Sequence, residues 1–167
     1  DGWMLGGILT TQSGVPFSVF SRRATLNRNG RSNNNTANTI LDKSQLDQIF
    51  QIQYTSTGPF FVAASARNPG DGRAISADGR AFFNGQAFFH PGPGALGSLQ
   101  RRMFSGPWLK NLDLSVIKQI QIREGHRVTF RAEAFNLSNT PSWNVDDQLV
   151  DSSQFGRITA TLLDRRI

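Results

Sequence analysis

Residues 111–137 read NLDLSVIKQIQI, then REGH, then RVTFRAEAFNL, and this hairpin segment decides the fold. It consists of two runs in which apolar and polar residues alternate, joined by a short charged turn over residues 123–127. A period of two is what a β-strand with one apolar and one polar side requires. Each run has roughly 10–12 residues, which is long for a globular strand and suits a tilted strand crossing a bilayer. The apolar side therefore meets either a protein core or lipid.

The alternation assigns the residues of the hairpin segment to two faces. Lys118 interrupts the apolar face of the first run, and Ile117 interrupts its polar face. The apolar positions that share one side of the two runs are Leu112, Leu114, Val116, Ile120, Ile122, Val128, Phe130, Ala132 and Ala134.

The composition fits an ordinary domain with its own core poorly. Its 167 residues are only 38% apolar, with a mean hydropathy of −0.35. The longest apolar runs are too short for a transmembrane helix. The absence of cysteine excludes disulfides and thiolate metal sites. The chain begins at Asp1 without an initiator Met or a visible signal peptide, so we expect a piece of a longer protein.

The net charge of +6 is concentrated in one segment. Between Ser21 and Pro107 there are ten basic and four acidic residues, which is the whole excess, and the rest of the chain is balanced. A basic connecting segment suggests an anionic neighbour: nucleic acid, lipid headgroups or an acidic ligand.

The same patterns predict the remaining elements. We expect strands at about 3–11, 109–122, 126–137 and 156–167, long loops at 21–107 and 138–154, and one helix within 41–51 capped by Asp42 or Ser44. Loops of such length are unusual in a compact soluble domain. A short turn on one side and long loops on the other are typical of outer-membrane barrels. The predicted fold is therefore all-β: an antiparallel meander, part of a single transmembrane β-barrel domain, with long extracellular loops.

Several stretches resemble one family of such barrels. GWMLGGILTTQSGVPFSV, GSLQRRMFSGPWLKNLDLSVIKQIQI, FRAEAFNLSNTPSW and FGRITATLLDRRI are similar, in this order, to the late barrel strands of TonB-dependent outer-membrane receptors. The nearest group is the Oar-like receptors, which carry a carboxypeptidase-regulatory-like N-terminal domain. The resemblance implies a Gram-negative cell outer membrane location and a C-terminal barrel segment truncated at both ends.

This resemblance carries further expectations about partners. The parent, which is the longer protein that would contain this chain, would engage the TonB energy-coupling protein through a plug that these residues lack. The fragment alone should therefore transport nothing. The apolar face of the hairpin segment becomes a lipid face. Asp113, Arg131 and Glu133 become candidates for the lumen, where they form either an ion-pair ladder that holds the strand register or a contact to substrate.

The basic loop supplies a second set of candidates. Two aromatic pairs lie close to a basic residue, and they either stack on a ligand or pack the loop onto itself. The candidate contacts to a ligand or to lipopolysaccharide phosphates are Arg80, Phe82, Phe83, Phe88, Phe89, Arg101 and Arg102. Trp3, Trp108 and Trp143 lie near predicted strand ends, as an interfacial aromatic girdle requires.

Patterns for other chemistry are missing from the sequence. His90 and His126, the two histidines, have no spacing typical of metal ligands. No nucleophile elbow or phosphate loop occurs, and the basic segment carries no nucleic-acid-binding motif. We therefore expect no enzyme activity, catalytic residue, metal, cofactor or nucleic-acid partner.

Two functions remain after these exclusions. The first is part of a TonB-dependent receptor that binds or takes up a large nutrient. The alternative is a secreted soluble all-β module that binds an anionic polymer or glycan through the basic aromatic loop. The two differ in what covers the apolar face, and no second set of strands to cover it is evident.

Overall fold

A computed structural model describes residues 2–25, 35–76 and 82–163. The strands are β1 (Trp3–Gln12), β2 (Pro16–Phe17), β3 (Phe20–Ser21), β4 (Asn35–Thr36), β5 (Asn38–Thr39), β6 (Gln53–Thr55), β7 (Gly58–Phe60), β8 (Phe88–Phe89), β9 (Phe104–Ser105), β10 (Leu109–Arg123), β11 (His126–Ala134), β12 (Ser142–Trp143) and β13 (Thr161–Leu163). The helices are α1 (Lys43–Ile49) and a 3-10 helix at Ala64–Ala66. The chain divides into a sheet unit, residues 1–13, 108–142 and 161–167, and a loop unit, residues 14–107 and 143–160.

The sheet unit is built on three long antiparallel strands in the order β1-β10-β11. The central strand β10 pairs with β1 through partners such as Leu5 and Val116, and with β11 through partners such as Val116 and Ala132. Its residues alternate between the two faces, as the period of two requires. The predicted all-β antiparallel fold is confirmed, and within the described chain β1 and β11 form the edges of this sheet.

The turn of the hairpin is tighter than its sequence indicated. β10 continues to Arg123 and β11 begins at His126, so only Glu124 and Gly125 lie between them. Gly125 has φ 77°, a left-handed conformation that glycine adopts without steric strain. The pairing shifts between Gln121 and Arg123, which accommodates the two-residue turn.

Two predicted strands end or begin elsewhere. β11 stops at Ala134 instead of continuing to residue 137, because Asn136 (φ 46°) and Asn139 (φ 48°) turn the chain through left-handed conformations. Of the residues predicted to form a strand at 156–167, Thr161–Leu163 form β13 in the described part of the chain. Gly156 has φ 74° and Ile158 is buried in the loop unit, so these residues do not extend that strand. Residues 164–167 lie outside the described part.

The long connections are folded around a core of their own. Residues from 17 to 104 and from 145 to 158 share one buried cluster in the loop unit. Six phenylalanines dominate it: Phe17, Phe50, Phe61, Phe88, Phe104 and Phe155. Edge-to-face contacts, such as Phe17 with Phe50 at 5.1 Å between ring centres, are the geometry that aromatic rings prefer. The segments 21–107 and 138–154, predicted as loops, therefore contribute most of a compact hydrophobic core.

One helix contributes to that core. The predicted helix within 41–51 is confirmed as α1, Lys43–Ile49. Asp42 caps it: its carboxylate accepts from the Gln45 amide at 2.9 Å, and the Gln45 side chain accepts from the Asp42 amide at 3.0 Å. The hydrogen bond from Gln45 and a second from Ser44 hold the pKa of Asp42 below its ordinary value. This cap fixes the start of the helix so that Leu46 is buried.

Candidate membrane-facing sheet and loop-unit surface

One face of the sheet unit is mostly apolar and is interrupted at Lys118 of β10. The register places Leu112, Leu114, Val116, Ile120, Val128, Phe130, Ala132 and Ala134 on this face, and β1 adds Trp3, Leu5 and Leu9. Leu5 is 76% exposed and Phe130 is 61% exposed. A contiguous apolar surface of this kind is rare in a protein surrounded by water.

The dimensions of this apolar face fit a bilayer. From Leu112 to Ile122 the strand advances by ten residues, or roughly 34 Å at the rise of an antiparallel strand. A tilt of about 40° reduces this to a height of about 26 Å, close to the apolar band of about 25 Å around outer-membrane barrels. The face is therefore long enough to cross a membrane once.

The opposite face carries the three residues that were predicted to line a lumen. Asp113, Arg131 and Glu133 share this face, since Ser115 pairs with Glu133 and Ile117 with Arg131. Arg131 and Glu133 form an ion pair within β11. Asp113 takes no part in it: its carboxylate accepts from the Asn111 side chain at 3.0 Å and from the Asn136 amide at 2.8 Å. Among the described residues the structure thus has a pair within one strand in place of an ion-pair ladder across strands.

The aromatic candidates of the loop unit have different environments. Phe88 is fully buried in the core of the loop unit and packs against Phe155, which is the arrangement expected if the aromatic pairs pack the loop onto itself. Phe89 and Phe83 are half-buried, and Phe82 is 72% exposed. The rings of Phe82 and Phe89 are 5.5 Å apart in an edge-to-face contact. Arg80 lies outside the described residues.

The two basic candidates of the loop unit are exposed neighbours. The Arg101 guanidinium lies 5.6 Å from the centre of the Phe20 ring, within the range of a cation–π contact. The Arg102 amide donates to Ser18 Oγ at 2.8 Å, with Arg102 at φ 54°. These contacts fix the backbone and one guanidinium, so the pair presents positive charge at a defined place on the loop unit.

A cavity that no sequence pattern predicted is lined by Phe20, the residue whose ring Arg101 contacts. It has a volume of about 570 Å³ and is lined by Phe20, Gln148, Gln154, Arg157 and Thr159 among others. Phe20 is separated from the rest of the lining by more than 120 residues of sequence, so no local motif marks the cavity. Phe20 lines the cavity and contacts Arg101, and Arg157 supplies a cation to the lining itself.

Hydrogen bonds within the protein hold the walls of the cavity. Asp146 Oδ2 accepts from the Thr159 amide at 2.8 Å, the Thr159 hydroxyl at 2.7 Å and the Ala160 amide at 3.0 Å. Burial raises the pKa of Asp146, but these bonds and one from Asn144 outweigh it and hold the pKa below its ordinary value. Arg157 donates to Gln154 Oε1 at 2.5 Å and to the Thr57 carbonyl at 3.1 Å. These bonds hold one wall of the cavity in place.

The two histidines lie in different settings. His90 Nδ1 and Ser21 Oγ are 2.6 Å apart, with Ser21 buried, whereas His126 is exposed at the start of β11. In residues 2–25, 35–76 and 82–163, no group of three or more His, Asp or Glu side chains is placed to hold a metal ion. Within the same ranges no helix has the length and hydropathy needed to span a membrane.

An antiparallel sheet with one uncovered apolar face and one polar face defines a segment of a membrane β-barrel. The family model described as outer membrane beta barrel domain matches residues 1–167, and the chain belongs to this family. The protein is therefore located in the outer membrane, which excludes the alternative of a secreted soluble module. Neither the curated proteins nor the solved structures gave a significant match.

Proposed function

We propose that the chain is the C-terminal barrel part of a TonB-dependent receptor that binds or takes up a nutrient too large for porins. The parent acts by binding and transport, without catalysis, cofactor or nucleic acid. Its energy would come from the TonB energy-coupling protein, engaged through a plug elsewhere in the parent. The ordered resemblance of four strand and loop segments to these receptors supports this proposal.

The observation that carries the proposal is the structured loop unit. Binding residues are often placed on loops that a rigid scaffold holds in position. Here the connections between membrane strands have their own aromatic core and a preformed cavity of about 570 Å³. A connection that served only to join two strands would need neither feature. The loop unit is therefore the proposed binding surface of the receptor.

The charge of this surface indicates the chemistry of its binding partner. Arg101 and Arg102 are exposed, and Arg101 lies over the ring that lines the cavity. Guanidinium groups bind phosphate and carboxylate oxygens through paired hydrogen bonds. Lipopolysaccharide phosphates or an acidic group of the nutrient are the proposed partners of this pair.

The TonB part of the proposal is tested with the full-length parent in detergent. The periplasmic domain of TonB from the same organism should bind the parent and should not bind a variant that lacks the segment N-terminal to the barrel. Heat-modifiable gel mobility checks that both proteins are folded barrels. A folded parent that does not bind TonB would overturn the receptor class and leave the barrel family intact.

The basic pair is tested with purified lipopolysaccharide and its dephosphorylated form. Arg101→Gln combined with Arg102→Gln should weaken binding of the phosphorylated form about tenfold, because two exposed charge-assisted contacts of about 0.5–1 kcal/mol each are lost. Arg123→Gln combined with Arg127→Gln removes the same two charges from the turn end of the sheet unit and is the matched control. Equal binding of both lipopolysaccharide forms would leave the acidic nutrient as the partner of the pair.

A further inference from the structure

The cavity of the loop unit has an apolar side. Phe20 and Leu149 line it, both are half-buried, and their backbones form an isolated parallel bridge. The Phe20 amide donates to the Gln148 carbonyl at 2.8 Å, and the Val150 amide donates to the Phe20 carbonyl at 2.9 Å. The backbone of the aromatic residue in this wall is therefore held by hydrogen bonds in both directions.

The segment opposite Phe20 is folded tightly. Residues 146–159 supply the side chains that line the cavity together with Phe20. Backbone hydrogen bonds close turns within this segment, such as the bond from the Ser152 amide to the Leu149 carbonyl at 3.0 Å. Its apolar residues are buried in the core of the loop unit: Val150, Phe155 and Ile158. A site with walls that are ordered before a ligand arrives loses little conformational entropy on binding.

The polar side of the cavity offers both hydrogen-bond donors and acceptors. Asp147 Oδ1 accepts from the Leu149 amide at 3.1 Å, and Oδ2 accepts from the Ser152 hydroxyl. A carboxylate has about four acceptor positions, so each oxygen can accept once more. Within the described residues, Arg157 uses two of its roughly five N–H donors. The Gln154 side chain accepts from Arg157 through Oε1, which leaves its amide N–H groups as donors.

The charges of the lining argue against an ionic ligand. Asp146 and Asp147 contribute two carboxylates, and Arg157 contributes one guanidinium. An anion would be repelled by the excess carboxylate, and a cation would lie beside Arg157. A hydroxyl group, in contrast, is both a donor and an acceptor and carries no charge. A neutral ligand with several hydroxyl groups therefore matches this mixture of donors and acceptors.

We propose that this cavity binds a neutral saccharide, which rests on the proposed function because it assigns the cavity to the nutrient of the receptor. Asp147, Gln154 and Arg157 bond to the hydroxyl groups, and the apolar C–H face of one sugar ring packs on Phe20. The volume of about 570 Å³ lies within the range of about 300–1,000 Å³ typical of small-molecule sites. Gln154 and Thr159 are exposed, so a longer sugar chain can extend from the cavity into solvent.

The test uses isothermal titration calorimetry with the full-length parent in a detergent that has no sugar headgroup. The neutral probes are maltotriose, cellotriose and laminaritriose, which differ in the linkage of their glucose units. Trigalacturonic acid and trilysine are the anionic and cationic probes of similar length. At least one neutral trisaccharide should bind, and more tightly than either charged probe. Equal or tighter binding of a charged probe, or no binding of any neutral one, would overturn the saccharide site.

Three variants test whether the trisaccharide occupies this cavity. Asp147→Asn replaces an acceptor by a donor at nearly constant shape and should weaken binding about tenfold, because a hydrogen bond to a charged group is lost. Phe20→Leu keeps an apolar wall without the flat ring and should weaken binding several-fold. Asp47→Asn removes an equal charge from the exposed surface of α1 and should leave the affinity unchanged. Unchanged affinity in both folded cavity variants would overturn the assignment.

Two further measurements separate the possible causes of failure. Hydrogen exchange of the β5 amides, which pair with β8, shows whether the loop unit of each variant is folded. The probe series with the wild type decides the saccharide site even if a variant does not fold. A parent that binds TonB but no neutral trisaccharide overturns the saccharide site alone. A parent that binds the trisaccharide but not TonB overturns the receptor class and supports the saccharide site.

Discussion

The carboxylate of Asp113 accepts a hydrogen bond from the backbone amide of Asn136 at 2.8 Å. Asn136 has φ 46° and lies in the turn that ends β11. The side-chain oxygen of Asn136 accepts from the backbone amide of Thr140 at 3.1 Å. The carboxylate of Asp113 and the side chain of Asn136 therefore hold this turn together. The acid that was predicted to face the lumen therefore also fixes the end of the hairpin opposite to the glycine turn.

We predict that Asp113→Ala destabilises the barrel by about 1–2 kcal/mol, because a hydrogen bond to a charged group is lost and the Asn136 amide loses its partner. Urea unfolding of the full-length parent in phospholipid vesicles measures this change. Asn111→Ala removes only the other hydrogen bond of Asp113 and should have the smaller effect. An Asp113→Ala variant as stable as the wild type would show that the turn holds without the carboxylate.

The buried Phe88 and the exposed Phe82 give a matched pair of substitutions in the loop unit. Phe88→Ala should destabilise this unit by about 3–5 kcal/mol, because it opens a cavity in the aromatic core. Phe82→Ala should stay within about 0.5 kcal/mol, because its ring is 72% exposed. Hydrogen exchange of the β5 amides, which pair with β8, reports the stability of the unit. Equal protection in both variants would contradict the assignment of Phe88 to the core.

The sequence predicted the sheet unit better than the loop unit, for a physical reason. In the sheet the common face of Leu114 and Ala134 follows from alternation, which is a local property. In the loop unit Phe17 packs against Phe50 and Phe104, and Phe88 against Phe155. These residues are irregularly spaced in segments rich in glycine and asparagine, so no period indicates which of them are buried.

The candidate functional residues also differ in how well the sequence predicted them. The common face of Asp113 and Arg131 follows from the strand period, and the structure places both on it. The bonds of Asp113 depend on a left-handed turn at Asn136, which alternation does not reveal. The cavity next to Phe20 depends on packing between residues more than 120 positions apart. The strand period therefore predicts the side of the sheet on which a residue lies but not the partner that it binds.

The ion pair between Arg131 and Glu133 should contribute little to stability. Its side chains are 61% and 36% exposed, and exposed pairs are typically worth less than about 1 kcal/mol. We predict that Arg131→Gln changes the free energy of unfolding by less than about 1 kcal/mol in urea titrations of the parent. A double-mutant cycle with Glu133→Gln isolates the interaction between the two residues. A coupling above about 2 kcal/mol would show that the pair is buried in the parent.

The buried contact between His90 and Ser21 should make the loop unit sensitive to acid. The Ser21 hydroxyl accepts from the Arg23 amide at 3.1 Å, so its proton is available to His90 Nδ1 when the ring is neutral. Burial lowers the pKa of His90, Arg23 lowers it further, and Asp151 partly opposes both. The neutral ring is thus the form that the folded loop unit favours.

The direction of the pH effect follows from this lowered pKa. Below about pH 6.5, the ordinary value for histidine, the unfolded chain takes up the proton before the folded chain does. The contribution of His90 to stability is therefore full above that pH and is lost as the pH falls toward the pKa of the folded state. Hydrogen exchange at β3 and β4, corrected for the intrinsic effect of pH, should show less protection at pH 5 than at pH 7.5. His90→Asn should flatten this dependence, whereas His126→Asn, in the exposed turn, should leave it unchanged. If the His90→Asn variant keeps the full pH dependence of protection, the effect comes from another titratable group.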